Sequence, residues 1–365
     1  MNIAFVPSSK IYLENRLFSN ENERDNVCEP FMFFKKYFEG KNSIVNTYDQ
    51  YTNLSEINLV IVYRFEKNIS LLFNIIRRNP LVKIIFVLTE SSNVTPLYTK
   101  DILKSPLFDI ILTFRDNMID NSYFYKYHFP NPLRKMLVPA LFTEKKYITI
   151  INSYKYHKEY RKGDLYAERI KAVRYFAKNS SIDLYGMGWE NCNDPLIKKV
   201  YLGVIKSKIE VIKNYKFAIV FENSNNDCGG ISEKIFDAMA AGCVPIYWGA
   251  PNVLDYIPEN TFINFRNFSS YQELDIYLKK INESEYNKYI EAINNFLKTD
   301  KYYKFTSKGF VDCISTVINK IVKSPVNKKS IFKIKWFFIK KIIANIYIFW
   351  KYYKRFVYEV VFKIG

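Results

Sequence analysis

The chain has 365 residues, of which 48% are hydrophobic and 25% charged, and its formal net charge is +18. This length allows about two domains, and the composition excludes a disordered or low-complexity chain. Five scattered cysteines and two histidines, without a CxxC pair, argue against a disulfide framework or a structural zinc site and favour a reducing compartment.

The first 140 residues alternate short apolar runs with helical patterns, starting from the apolar run Ile3–Val6. Such alternation predicts a parallel sheet covered by helices on both faces. The initial run is too short for a signal peptide and lacks a basic flank, so we predict a buried strand there. The other predicted strands are Asn58–Val62, Lys83–Leu88 and Asp109–Thr113, and the predicted helices are Pro30–Phe38 and Ser70–Arg78.

A segment with three prolines, Tyr125–Ala140, is predicted to be an irregular connection to a second alternating series. Its predicted strands are Tyr147–Ile151, Ile182–Tyr185, Phe217–Phe221, Cys243–Trp248 and Thr261–Asn264, and its helices are Leu165–Lys178, Lys206–Asn214, 233–241 and a helical region over Tyr271–Val322. We therefore predict two doubly wound α/β domains facing a cleft, over residues 1–140 and 141–324. Residues 325–365 are predicted to form a basic amphipathic helical tail.

The most informative unit is the strand–loop–helix–strand over residues 217–248. The first strand is apolar on both faces, as a central parallel strand is. Ser232 is a favourable cap for a helix that begins at Glu233. Ligands in such βαβ units lie beyond the carboxyl ends of the strands, against a helix N-terminus, where Lys234 could contact a phosphate group. The alternative is an ordinary helix start, where acidic residues are also favoured.

The order of residues over 215–268, YKFAIVFENS…GGISEKIFDAMAAGCVPIYWG…, resembles the donor-binding region of the α-1,3-fucosyltransferases, glycosyltransferase family 10. The similarity continues more weakly upstream to about residue 80. It implies a GT-B fold and inverting transfer of L-fucose from GDP-fucose to a glycan hydroxyl, of α-1,3/1,4 type, in surface polysaccharide or lipopolysaccharide synthesis. One departure is Gly230, which stands where the family has Tyr or Phe. It leaves open a transferase for another GDP-sugar.

The resemblance also implies the site residues. The implied donor-binding residues are Arg169, Glu222, Asn223, Ser232, Glu233 and Lys234. Glu90, in FVLTESS, is similar to a glutamate at the end of an N-domain strand, and a carboxylate there can be the general base. Its alternative role is a loop cap, and Glu222 is the rival base. Since the cations can stabilise the departing diphosphate, we expect no obligatory metal and no cofactor besides the GDP-fucose substrate.

The segment 328–365 contains ten Lys or Arg residues and one Glu, a net charge of +9, interleaved with aromatic residues. It is too charged to span a bilayer, so we expect a peripheral location on the anionic inner face of the cytoplasmic membrane. Packing on its own domain or in a homodimer is one alternative. A nucleic-acid arm is another, which would fit a scaffold protein with an inactive site, but the preferred interpretation includes no nucleic acid. The acceptor is then a glycan or a lipid-linked glycan.

Overall fold

The chain forms two compact units, Met1–His128 with Ser307–Gly365, and Phe129–Thr306. The structure is a computed structural model that describes residues 1–20, 24–91, 95–132, 134–137, 139–155, 163–325, 327–344, 354–358 and 360. Each unit contains one wholly parallel sheet with helices around it, as the alternating pattern predicted. The two-unit α/β fold class is therefore confirmed.

The sheet of the first unit has the strand order β2-β1-β3-β4-β5-β6. Its strands are β1 Asn2–Val6, β2 Ile44–Thr47, β3 Leu59–Val62, β4 Lys83–Leu88, β5 Ile110–Thr113 and β6 Phe124–Lys126. The central strands β1, β3 and β4 are apolar and buried along almost their whole length, because helices cover both faces. Strands β2 and β6 were not predicted, and the connection expected over 125–140 begins inside β6.

The helices of the first unit come from both ends of the chain. They are α1 Glu29–Glu39, α2 Ile69–Arg78, α3 Lys100–Leu103, α11 Ser307–Lys323, α12 Ile331–Ala344 and α13 Lys354–Val357. Helix α11 packs on α1, with the rings of Phe31 and Phe310 6.3 Å apart and the Ser307 hydroxyl donating to Glu29 at 2.8 Å. The second unit thus ends at 306 and not at the predicted 324, because the apolar stripe of α11 is covered by the first unit. The boundary between the units lies at 128, where 140 was predicted.

Helix α12, the described core of the predicted tail, packs on the first unit through one face. Phe338 is fully buried, and its ring stacks on that of Phe65 at 6.3 Å. Just before the helix, Lys329 Nζ lies 2.7 Å from an Asp109 carboxylate oxygen. This face fits the alternative that the tail packs on its own domain. Residues 326, 345–353, 359 and 361–365 of the tail lie outside the described part, within which no helix is long and apolar enough to cross a membrane.

Replacing Phe338 with Ala should lower the free energy of unfolding by about 3–5 kcal/mol, because it leaves a cavity between α12 and the first unit. Phe332 is the matched control, since it lies on the same helix and is 77% exposed. Its replacement with Ala should change stability by less than about 0.5 kcal/mol. Urea unfolding measures both values. Equal effects of the two substitutions would contradict the packing of α12.

The sheet of the second unit has the order β11-β10-β9-β7-β8. Its strands are β7 Lys146–Ile151, β8 Asp183–Tyr185, β9 Tyr215–Phe221, β10 Val244–Trp248 and β11 Ile263–Asn264. Its helices are α4 Tyr166–Asn179, α5 Pro195–Val200, α6 Lys208–Ile212, α7 Glu233–Ala240, α8 Tyr271–Lys280, α9 Glu283–Phe296 and α10 Asp300–Tyr303. From β7 the chain moves outward to β8, and from β9 it moves in the opposite direction to β10 and β11. The strand order therefore reverses between β7 and β9.

Candidate functional site

The candidate site lies in the second unit, at the carboxyl ends of the neighbouring strands β7 and β9. These strands pair in parallel, with Ile148 opposite Phe217 and Ile150 opposite Ile219. The connections on the two sides of this pair run in opposite directions, and such a reversal is expected to leave a crevice beyond the strand ends. In open α/β sheets, this reversal point is where ligands bind.

Glu222, the first residue after β9, holds the start of helix α7. One carboxylate oxygen accepts hydrogen bonds from the Ser232 amide and hydroxyl, both at 2.8 Å. The other oxygen lies 3.0 Å from Lys234 Nζ. Glu222 is buried, so a charged partner and several donors are needed to offset its lost hydration. The three side chains therefore form one connected group that fixes the position of the Lys234 ammonium.

The N-terminus of α7 carries both a cap and a second charged pair. Ser232 is the N-cap, and its hydroxyl accepts from the Lys234 amide at 3.5 Å. The Glu233 carboxylate lies 3.2 Å from Lys208 Nζ. Burial acts to raise the pKa of Glu233, but Lys234 and Lys208 outweigh it and hold that pKa below its usual range. Glu233 is thus a carboxylate at neutral pH and can accept hydrogen bonds from hydroxyl groups.

Arg169 reaches from α4 to the end of β9. Its guanidinium donates to the Phe221 carbonyl at 2.7 Å and to the Asn223 side-chain oxygen at 2.9 Å. It also packs on the Tyr166 ring, 4.9 Å from the centroid. Arg169 is only 4% exposed, and burial lowers its pKa, although Tyr166 and Glu222 oppose this shift. The fold thus brings the six predicted donor residues around the end of β9 and the start of α7.

Three glycines lie at this site, and their backbone and surroundings differ. A Cβ atom on Gly249 would lie 2.5 Å from Glu222 Cγ and 2.3 Å from the Tyr247 hydroxyl, so a larger residue would displace Glu222. Gly229 has a φ of 77° and donates its amide hydrogen to Asn252 at 2.8 Å. Gly230 does not have a positive φ, so its backbone does not require glycine, and the departure at this position concerns the side chain.

Several polar residues of this region were not predicted from the sequence. Lys208 is the partner of Glu233, and Arg266 donates to the Asn225 carbonyl at 2.7 Å and to the Gly249 carbonyl at 2.8 Å. The Asn152 side-chain amide, directly after β7, is buried and has no hydrogen-bond partner within the described residues. Both residues could have been predicted from their position along the chain, because Arg266 lies within the motif over 215–268 and Asn152 directly follows a predicted strand.

Glu90, the predicted base, lies in the first unit, two residues after β4, and is half-buried. The nearby Arg64 guanidinium lies 2.5 Å from Glu66, whose second oxygen accepts from the Tyr98 hydroxyl at 2.7 Å. Burial lowers the pKa of Arg64, but Glu66 and Glu90 contribute to a net rise. Glu66, a buried carboxylate beside Arg64, was not predicted from the sequence. Glu90 and the six donor residues belong to different units.

Comparison with known proteins points to one enzyme family. A model of glycosyltransferase family 10 (fucosyltransferase), C-terminal part, matches residues 143–336, which is more than half of the chain. The chain is 34% identical over 89 residues to an alpha-(1,3)-fucosyltransferase FucT of Helicobacter pylori, covering 24% of this chain and 18% of that protein. It is also 34% identical over 119 residues to the 4-galactosyl-N-acetylglucosaminide 3-alpha-L-fucosyltransferase 9 of Mus musculus, covering 32% and 30%. The matches therefore span less than a third of these relatives.

Solved structures share the fold. A crystal structure of an alpha1,3-fucosyltransferase with GDP-fucose aligns with a TM-score of 0.51 at 16% identity, over 90% of this chain and 92% of that one. The Anabaena protein Alr3699/HepE, in complex with UDP and glucose, aligns with a TM-score of 0.55 at 10% identity, over 88% of this chain and 100% of that one. At these identities the likeness shows the fold alone, and that fold is of the GT-B type.

Proposed function

Because the chain belongs to glycosyltransferase family 10, the fucosyltransferase family, we propose that it transfers L-fucose from GDP-fucose to a hydroxyl group of a glycan. The observation that carries the proposal is the cationic group at the strand reversal of the second unit. Arg169 lies beside Asn223, just after strand β9, and Lys234 lies in the first turn of helix α7. A nucleoside diphosphate matches this arrangement, since both cations and the helix N-terminus favour its negative charge.

The same cations support the departure of GDP. The diphosphate gains negative charge as the sugar–oxygen bond breaks, and cations that are already fixed in place stabilise that charge. Lys234 is fixed by Glu222 at 3.0 Å, and Arg169 by the Phe221 carbonyl at 2.7 Å. We propose that Arg169 and Lys234 stabilise the departing GDP without an obligatory metal ion. Glu233, held ionised, is proposed to accept hydrogen bonds from the ribose hydroxyls.

Glu90 is proposed to be the base that removes the proton from the acceptor hydroxyl, and the transfer is proposed to invert the anomeric carbon. The resemblance at FVLTESS and the half-buried position of Glu90 after strand β4 support this role. A single displacement needs one base on the acceptor side and no covalent intermediate on the enzyme. Glu222 is the weaker candidate, because Ser232 and Lys234 already occupy both of its oxygens.

The proposal is tested by incubating the protein with radiolabelled GDP-sugars and a mixture of acceptors that end in galactose or N-acetylglucosamine. The expected result is release of GDP from GDP-fucose and a product whose α-fucosyl linkage is visible by NMR. Because the donor is a β-linked nucleotide sugar, an α-linked product indicates inversion. Transfer from another GDP-sugar, but not from GDP-fucose, would contradict the assignment of the donor.

A transferase for another GDP-sugar remains the second candidate, and Gly230 is the observation that favours it. The family has an aromatic residue at this position, and the chain lacks that side chain beside the start of α7. Gly230→Tyr tests whether the aromatic ring selects the sugar. If the ring is needed for fucose, this variant should turn over GDP-fucose faster than the wild type, and other GDP-sugars more slowly. Equal rates for both proteins would contradict a role of position 230 in selecting the sugar.

We further propose that helix α12 attaches the protein to the anionic inner face of the cytoplasmic membrane. While one face of α12 is buried, the opposite face exposes an apolar stripe whose members are spaced by four and seven residues, that is, by about one and two helical turns. Its members Phe332, Trp336 and Ile343 are 77%, 50% and 66% exposed. Lys333 and Lys340 flank the stripe, and Lys340 lies 5.1 Å from the Trp336 ring. Apolar side chains flanked by lysine suit the headgroup boundary.

Replacing Phe332, Trp336 and Ile343 together with Ser should lower partitioning into vesicles with anionic lipids by at least about tenfold, because each buried apolar side chain contributes about 1.5–3 kcal/mol. Vesicle sedimentation measures this. The control is Val322→Ser on α11, an exposed apolar residue outside the stripe. Undiminished sedimentation of the triple variant would contradict the proposal. Loss of a dimer in light scattering would instead assign the stripe to a homodimer contact.

A further inference from the structure

A cavity lies in the second unit, at the outer edge of its sheet. It is an open groove of about 1140 Å³ between the edge strand β11 and helices α8 and α9. None of the six donor residues lines it. Its volume is slightly above the range of about 300–1,000 Å³ for sites that hold drug-sized ligands, so it can take a molecule longer than a single sugar ring.

The groove has an aromatic wall. The rings of Phe268 and Tyr277 lie 5.3 Å apart, and the Tyr277 and Tyr289 hydroxyls share a hydrogen bond of 2.9 Å. Burial raises the pKa of Tyr289, with further contributions from Tyr277, so the phenol stays neutral. Tyr277 is 38% exposed and presents part of its ring to solvent. Rigid aromatic rings with a polar tip bind molecules that have both apolar faces and hydroxyl groups.

The polar residues of the groove favour a neutral ligand. Asn260 and Asn267 contribute exposed side-chain amides, which can both donate and accept hydrogen bonds. The charged residues of the lining balance, because it contains two acids and two lysines, Glu259, Glu285, Lys280 and Lys288. The chain as a whole carries +18. A site for phosphate or another anion would concentrate that positive charge, and this groove does not.

A peptide ligand is less well supported. Peptides that bind at a sheet edge gain affinity from an extended ladder of backbone hydrogen bonds. Strand β11 has only two residues, Ile263–Asn264, and the Asn264 side chain already accepts from the Arg266 amide at 3.1 Å. The edge therefore offers little backbone for pairing, whereas the aromatic rings and amides can bind hydroxyl groups without it.

We propose that this groove binds the neutral oligosaccharide part of the glycan acceptor, at a distance along the acceptor from the sugar that is modified. The inference rests on the proposed function, since it supposes a glycan acceptor of several sugar units. In this arrangement the aromatic wall contacts the apolar faces of the sugar rings, and the Asn260 and Asn267 amides bond to their hydroxyls. The groove would then favour longer acceptors over short ones.

The test uses calorimetry with neutral oligosaccharides, from disaccharides to hexasaccharides of galactose, glucose and N-acetylglucosamine, and with sialylated counterparts. The wild type should bind at least one neutral hexasaccharide more tightly than its disaccharide. Tyr277→Ala should weaken that binding by about tenfold or more, through loss of the aromatic contact. The matched control is Tyr303→Ala in α10, since Tyr303 is also 38% exposed but lies outside the groove.

GDP affinity is measured in the same samples and should be retained in Tyr277→Ala, which shows that the second unit is folded. Asn267→Ala provides a second, milder variant and should weaken hexasaccharide binding in the same direction. The proposal is overturned if the wild type binds no neutral oligosaccharide, if the sialylated forms bind more tightly, or if Tyr277→Ala binds like Tyr303→Ala. These readouts need no sugar transfer. A failed transfer assay would therefore refute the proposed function without deciding this inference.

Discussion

Replacing Lys234 with Ala is expected to lower the affinity for GDP by about 10- to 100-fold, which corresponds to the free energy contributed by one hydrogen bond to a charged group. The same change should lower the free energy of unfolding by about 3 kcal/mol. The reason is that Glu222 is buried and its carboxylate loses its countercharge, which lies 3.0 Å away. Calorimetry with GDP and thermal unfolding measure the two effects.

A double variant separates binding from stability. Glu222→Gln added to Lys234→Ala removes the buried charge that the single change leaves unpaired, while an amide oxygen still accepts from Ser232. Stability should therefore recover, whereas GDP affinity should stay low, because the ammonium that contacts the phosphate is absent. Lys213→Ala is the control for a lysine in a surface ion pair with Glu210 and should change neither quantity. Recovery of GDP affinity in the double variant would limit Lys234 to a structural role.

The central strands were predicted from the sequence, whereas two short edge strands of the first unit were not. Central strands such as Lys83–Leu88 are buried on both faces, so they appear as continuous apolar runs. The edge strands Ile44–Thr47 and Phe124–Lys126 have three or four residues, a neighbour on one side only, and polar or charged members. Such short mixed segments have no periodicity that distinguishes them from loops.

Helix α11 illustrates a second limit. Its apolar periodicity predicts a buried stripe, which the structure contains at Phe310, Ile314 and Ile318. Periodicity does not state which surface covers the stripe. The helix was predicted to belong to the domain that precedes it in the chain, but α11 packs on α1, far away in sequence. Only the three-dimensional contacts contain that information.

The candidate site shows the same division between local and distant information. The order of residues from Phe221 to Lys234 indicated a helix start beside a strand end, and Ser232 caps that helix in the structure. The sequence did not indicate that Glu222 pairs with Lys234. Nor did it reveal that Arg169 bonds to the Phe221 carbonyl, 52 residues later. Lys208 and Glu66 were missed because each is an ordinary charged residue until the fold places a partner beside it.

Glu90→Gln is expected to lower turnover by about 10²–10⁴-fold, the usual contribution of general acid–base catalysis. Gln keeps the shape of the side chain but cannot take the acceptor proton. GDP affinity should remain at the wild-type value, because the proposed GDP contacts all lie in the second unit and Glu90 lies in the first. In the wild type, turnover should fall as the pH drops through the pKa of the base. In the variant this acid limb should disappear, an effect that a purely structural role would not produce.

Glu66→Gln is the matched comparison, since it changes the other carboxylate of the same cluster. Glu66 is buried and accepts from Arg64 and Tyr98, so its replacement should mainly lower stability and should keep the acid limb of the pH profile. The opposite pattern, with the acid limb lost in Glu66→Gln and retained in Glu90→Gln, would make Glu66 the base. Retention of the limb in both variants would move the base to Glu222, which then has to release Ser232 or Lys234 to accept a proton.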